Sequence, residues 1–233
     1  MNFLIHIFIF TCKYFSKMLQ FEIIALITRI CNGTTSHIEK LIQEGVIPHL
    51  KRFLKLSPNI RNLNLLGISI WCVGNISNDS YFKILLVEQR FPDDLVRIIR
   101  NNTLSLKITK YLSFAMHNLM QNVDKLPNKL NEIVKWLPAL HIFLDHEELS
   151  VKCDSIFAIS HILYCGEAEI DLLLKNGFCE KIISNMDHDN EVVGLLALRI
   201  IGLFLCGTQV QIQVFQRILH LDLLQKLFIF RLF

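Results

Sequence analysis

The sequence predicts an all-α protein built as a stack of short helical repeats, and three observations predict it. Apolar residues recur at helical spacing, Leu and Ile outweigh the β-branched and aromatic types that strands favour, and similar apolar helices return at an interval in the forties. With 233 residues, 52% of them hydrophobic and 19% charged, the chain can bury a core and is too apolar to stay disordered.

Residues 1–18 open with "MNFLIHIFIFTCKYF". Its apolar core, Phe3 to Phe10, lacks the positive start and small-residue cleavage site of a secretory leader. His6 and Lys13 break it well before the roughly 20 residues of a membrane span, so it reads as an apolar leader or partial repeat. "LQFEIIALITRI" is the first long apolar helix. "EGVIPHLKRFL" follows, its helix start marked by Pro48, because proline is tolerated in the first helical turn. The alternation continues with "LNLLGISIWCVGNI", the Pro92 start in "QRFPDDLVRII", "LKITKYLSFAMHNL", the Pro138 start in "VKWLPALHIFL", and "SVKCDSIFAISHIL". "KNGFCEKIIS", with Cys179 in the place of proline, and "EVVGLLALRIIGLF" complete it.

The short starts are spaced by 44, 46 and 41 residues. Aligning the long helices places Arg29, Asn75, Asn118, His161 and Leu203 in one column, at intervals of 46, 43, 43 and 42. Such a period, with about three helices per unit, is the armadillo or HEAT signature. The expected architecture is a right-handed superhelical solenoid of about five such repeats over residues 19–227, followed by a short apolar tail at 228–233. The third helix of each repeat would line its concave face.

Trp71 and Asn75 lie one turn apart on one face of a long helix. Asn is a mediocre helix former with no cap role at that position, which argues for a groove-lining carboxamide. Seven cysteines without a C-x-x-C pair, set in apolar runs, behave as small hydrophobes and point to a reducing, intracellular setting. The sequons at Asn32, Asn75, Asn78 and Asn101 read as chance, since Asn75 is mid-helix. A net charge of +3 with scattered basic residues, densest at Lys51, Arg52 and Lys55, describes a solvated face and not a nucleic-acid footprint. There is no phosphate-cradling glycine loop, no G-x-S-x-G elbow, and no H-E-x-x-H spacing around His141 and His146. No catalytic activity, metal or cofactor is expected.

Five segments in order resemble the importin alpha family, the adaptors for nuclear-localisation-signal cargo. "LQFEIIALITRICNGTTS" is similar to the family's second repeat, "ISIWCVGNISNDS" to the third, "LSFAMHNLMQN" to the fourth, "CDSIFAISHIL" to the fifth and "EVVGLLALRIIGLFLCGTQVQIQVF" to the sixth. The resemblance, from Leu19 to Leu227, implies an armadillo adaptor of cytoplasm and nucleus that binds lysine-rich signal peptides for import. In that family a Trp-x-x-x-Asn pair recurs on the inner helices. The carboxamide holds the backbone of an extended peptide, the indoles form slots for lysine stems at ~0.5–2 kcal/mol each, and carboxylates select the charged head.

Carried onto this chain, the resemblance implies peptide-binding roles for Trp71, Asn75 and the acidic Asp79. It extends them to Phe114 and Asn118, to Phe157 and His161, and to Arg199. Ala25, Arg29, Tyr164 and Leu203 depart from the family's pattern. The family's basic segment for importin beta has no counterpart in residues 1–18, which hold only Lys13 and Lys17, so importin beta is not an expected partner by that route. Neither nucleic acid nor membrane is expected as a partner. A scaffold without cargo function is the alternative reading. The apolar ends "FLIHIFIF" and "LFIFRLF" predict self-association, because solenoid ends need polar caps.

Overall fold

The first helix, α1 (Lys17–Cys31), starts at Ser16, whose hydroxyl accepts the backbone N–H of Leu19. The computed structural model describes residues 16–57, 62–101 and 104–220, so the expected tail at 228–233 and all but the last three residues of the expected leader lie outside the described residues. The chain divides between Gln121 and Asn122 into two compact units. Among the described residues it is helical throughout, with thirteen α-helices, one 3-10 turn and no strand.

In the first unit α1 is followed by two complete three-helix repeats. The first comprises α2 (Thr35–Gln43), α3 (Val46–Leu54) and α4 (Leu63–Ser77); the second comprises α5 (Ser80–Glu88), α6 (Phe91–Asn101) and α7 (Leu106–Met120). The long helices α1, α4 and α7 pack side by side in that order. The second unit opens with the 3-10 turn Val123–Lys125 and continues through α8 (Lys129–Leu144), α9 (Leu149–Leu163), α10 (Glu167–Lys175), α11 (Phe178–Ser184), α12 (Glu191–Phe204) and α13 (Gln209–His220). Here α9 packs on α8 and on α12.

The turn between the first and second helices of a repeat takes a left-handed residue in three of the repeats: Gly45 before α3, Arg90 before α6 and Gly177 before α11. Glycine adopts this conformation without strain, and Arg90 holds it at a cost of about 1 kcal/mol.

Pro48 and Pro92 lie in the first turns of α3 and α6, and Cys179 in that of α11, as the spacing predicts. Pro138 does not start a helix; it lies inside α8. In this repeat the first helix shrinks to the Val123–Lys125 turn, and the second extends backwards through the proline. The carbonyl that loses its helical donor is that of Val134, a residue 45% exposed, where water can serve it.

Trp136 is wholly buried at the centre of α8, and Phe91, Phe143, Phe178 and Phe204 are likewise buried. Many basic side chains are used at helix C-termini, where unpaired carbonyls and the helix dipole favour a cation. Arg97 donates to the carbonyl of Leu54 at 3.0 Å, Lys129 to Cys165 at 3.1 Å and Lys152 to Leu144 at 2.9 Å. Lys83, 1% exposed, donates to the carbonyl of Gln121. Lys51 was expected on a solvated face; it instead donates to Gln89 and pairs with Asp94 at 2.7 Å.

His141 stacks on Phe178 with ring centroids 4.0 Å apart. Burial, and then the Lys181 cation, hold its pKa below the ordinary value of 6.5; burial, and then Arg52, do the same for His49. A lowered folded-state pKa means the unfolded chain binds the proton more readily, so stability is full above the ordinary value and falls as pH drops through it. The urea midpoint is therefore expected to fall between about pH 7.5 and about pH 5.5, and His141→Gln to flatten part of that dependence. A midpoint that rises on acidification would contradict the assignment.

Candidate functional site

The site is built on the C-terminal halves of α4 and α7 and on the end of α1. Asn75 is only 8% exposed. Its Nδ2 donates to the carbonyl of Thr28 on α1 at 3.0 Å. One repeat later, Asn118, 6% exposed, donates to the carbonyl of Gly74 on α4 at 2.9 Å. Each carboxamide thus bridges to the residue just before the aligned column position of the preceding repeat. Ser and Thr hydroxyls on these helices turn back to their own carbonyls, as Thr28 does to Ile24 at 2.7 Å, so the carboxamides are the groups that cross.

An Asn side chain has two donor hydrogens and an acceptor oxygen, and this bridge uses one hydrogen. The rest of each carboxamide faces an open cavity of about 340 Å³, lined among others by Cys31, Thr35, Asn75, Asp79, Phe114 and Asn118. A buried bridge and a groove-facing polar group are therefore the same side chain.

Asp79 caps α5. One oxygen accepts the backbone N–H groups of Tyr81 at 2.9 Å and Phe82 at 3.4 Å, and the other accepts the hydroxyl of Thr35 at 2.8 Å. Its charge sits at a helix N-terminus, where the dipole stabilises it, and still borders the cavity.

Trp71 is 38% exposed and stacks flat on Tyr111 of α7, centroids 5.5 Å apart and planes 4° from parallel. Tyr111 covers one indole face, and the exposed remainder is available to a ligand. Phe114 rests on Gly74, where an added Cβ would lie 2.7 Å from the ring. That close approach brings α4 and α7 together and sets the reach of Asn118.

The expected first-unit residues thus gather around one cavity, with Trp71 one turn from it. In the second unit Phe157 and His161 are half-buried on α9, and Arg199 is exposed on α12. Tyr111 and Thr35 were missed by sequence reasoning. Tyr111 carried a signal, since it lies three residues before Phe114 on the same helical face; Thr35 carried none.

Three of the thiols are held in their protonated, poorly nucleophilic form. Burial pushes Cys165 up to about 11 and Cys179 up to about 12. Cys31 is raised by its hydrogen bond with Cys72, whose sulfur lies 3.9 Å away, and then by burial. Among the described residues no group of His, Cys, Asp or Glu could hold a metal ion, and no helix is long and apolar enough to cross a membrane.

No family model matches the chain. It is 22% identical over 197 residues to importin subunit alpha-1b of Oryza sativa subsp. japonica, covering 84% of this chain and 35% of that protein. It is 23% identical over 174 residues to importin subunit alpha-2 of Arabidopsis thaliana, covering 74% and 31%. Among solved structures, the designed armadillo repeat protein YIII(Dq)4CqI superposes with a TM-score of 0.79 at 18% identity, covering 93% of this chain and 87% of that one. The chain is a divergent, importin-alpha-like armadillo-repeat protein. A second designed armadillo repeat protein, solved in complex with the peptide (KR)4, matches with a TM-score of 0.73 at 20% identity over 87% of this chain and 81% of that one. The chain spans about a third of the length of the curated relatives it matches.

Proposed function

We propose that this armadillo protein binds an extended, lysine-rich peptide of the nuclear-localisation-signal type along α4 and α7, and serves as an adaptor for cargo carrying such a signal between cytoplasm and nucleus. The observation that carries the reading is the conjunction at one open cavity of two bridging carboxamides, Asn75 and Asn118, with a half-exposed indole one turn away. The carboxamides have capacity left for a peptide backbone. The indole offers a surface for a lysine stem, and Asp79 offers a carboxylate for its head. Phe157 and His161 are the corresponding positions of the second unit. The importin alpha relatives and the (KR)4 complex of a designed neighbour support a basic peptide as the ligand class.

The test is a fluorescence-anisotropy titration of a lysine-rich signal peptide against the folded chain, beside the same peptide with its lysines replaced by alanine. The lysine peptide is expected to bind at least about tenfold more tightly, the effect of two or so occupied lysine slots. Equal affinity for the two peptides, or no binding by a chain with a full helical spectrum, would leave only an armadillo scaffold without this ligand.

A further inference from the structure

Two kinds of thiol contact occur in this chain. Cys165 and Cys206 turn back on their own helices and donate to the carbonyls of His161 and Gly202, each at 3.3 Å. Cys31 and Cys72 face one another across two helices, α1 and α4, with both thiols free and their sulfurs 3.9 Å apart. A neighbouring contact holds the helices together there. Asn75, one turn beyond Cys72, donates at 3.0 Å to the carbonyl of Thr28, one turn before Cys31.

The two cysteines differ in access. Cys31 is the last residue of α1 and, although only 3% exposed, lines the open cavity of about 340 Å³. Cys72 is wholly buried in the middle of α4 and is not among the residues lining that cavity. A small neutral molecule entering the cavity therefore meets the sulfur of Cys31 and not that of Cys72. A disulfide sets its sulfurs about 2 Å apart, so this pair has about 2 Å to close, a displacement of the size that rotation about the two Cα–Cβ bonds supplies. The product is uncharged and suits the buried setting, where a lasting pair of thiolates would be costly.

We propose that Cys31 and Cys72 form an oxidation site for hydrogen peroxide, with Cys31 as the attacking sulfur and Cys72 as the resolving one, and that the resulting disulfide ties α1 to α4. The Cys31 sulfur attacks one peroxide oxygen as the thiolate and the O–O bond breaks. Cys31 becomes a sulfenic acid, and the departing hydroxide takes up the proton that Cys31 gave up, leaving as water. The Cys72 sulfur then attacks the Cys31 sulfur and the S–O bond breaks. The second hydroxide takes the Cys72 proton and leaves as a second water. Two thiols and one peroxide thus give one disulfide and two waters; each sulfur is oxidised by one electron and each peroxide oxygen reduced by one. Because Cys31 rests in its protonated form, the first step is slow, and the site answers sustained exposure more than a brief pulse. The bond fastens the cavity wall carrying Cys31 to the helix carrying Asn75, whatever ligand the cavity takes.

The test treats the full chain with millimolar hydrogen peroxide, blocks the remaining thiols after unfolding, and maps the peptides by mass spectrometry. The expected product is a peptide pair joined through Cys31 and Cys72, released by dithiothreitol. The urea midpoint of the oxidised chain is expected to rise by roughly 1 M, the effect of closing a loop of about 40 residues in the unfolded state. In Cys72→Ser the sulfenic acid has no resolving thiol, so Cys31 is expected to be trapped by dimedone and the midpoint not to rise. In Cys31→Ser, Cys72 is expected to stay a thiol. The exposed Cys206 serves as the internal sign that oxidant was present, and mapping of the parent requires no variant to fold. The proposal is overturned if Cys31 and Cys72 both remain thiols when Cys206 has been oxidised, if either links to another cysteine instead, or if Cys72 is oxidised as readily without Cys31.

Discussion

Gly74→Ala is expected to destabilise the chain by about 1–3 kcal/mol, the usual cost of forcing a methyl group into a filled contact. The added Cβ would lie 2.7 Å from Phe114 and 3.3 Å from the Cα of Ala115, so the ring and then the backbone of α7 must shift. That shift also strains the bond from Asn118 to the Gly74 carbonyl. Gly202 occupies the same column of the repeat on α12, where a Cβ meets nothing within 4 Å. There the same substitution is expected to stabilise by about 0.5–1 kcal/mol, because alanine loses less backbone freedom than glycine in a helix. Thermal unfolding followed by circular dichroism at dilute concentration reads both, with opposite shifts of a few degrees expected. Shifts of the same sign would show that the α4–α7 contact is not the tight one described.

Trp71→Ala is expected to weaken binding of the lysine-rich peptide by about threefold to thirtyfold, the range of one cation–π and stem contact. The indole is 38% exposed and its stack on Tyr111 belongs to the protein itself, so the stability cost is confined to about 0.5–1.5 kcal/mol and the helical spectrum is unchanged. Asn75→Ala behaves differently. It removes the bridge to the Thr28 carbonyl, so a loss of about 1–3 kcal/mol in stability accompanies any loss of binding. Anisotropy titrations and urea midpoints measured together separate the two. If Trp71→Ala binds as the parent does while Asn75→Ala loses affinity only as far as it unfolds, the indole takes no part in recognition.

The repeat was legible in the sequence because each repeat solves the same burial problem. Apolar helices that stack only on their neighbours must return at a fixed interval, and Arg29, Asn75, Asn118, His161 and Leu203 mark that interval directly. Pro48 and Pro92 were legible for a similarly local reason, a missing N–H that costs nothing in a first turn. Pro138 lies inside a longer helix, where its missing N–H leaves the Val134 carbonyl to water, and nothing within a few residues of it records that the preceding helix has shrunk to a turn.

By itself, then, the sequence determined that this protein is an all-helical armadillo stack and which residues share a column, because those follow from periodicity along one chain. Tertiary structure decided what each column residue does. The two tryptophans share a chemistry, yet Trp136 is wholly buried within its unit while Trp71 lies half-open on Tyr111. Asn75 and Asn118 are bridges as well as groove groups because a carbonyl of another repeat lies within 3.0 Å, and Gly74 and Gly202 part company because, among the described residues, only Gly74 has a helix laid across it. These outcomes depend on which atoms from distant repeats come within van der Waals or hydrogen-bond reach, a distance condition that no spacing along the chain encodes.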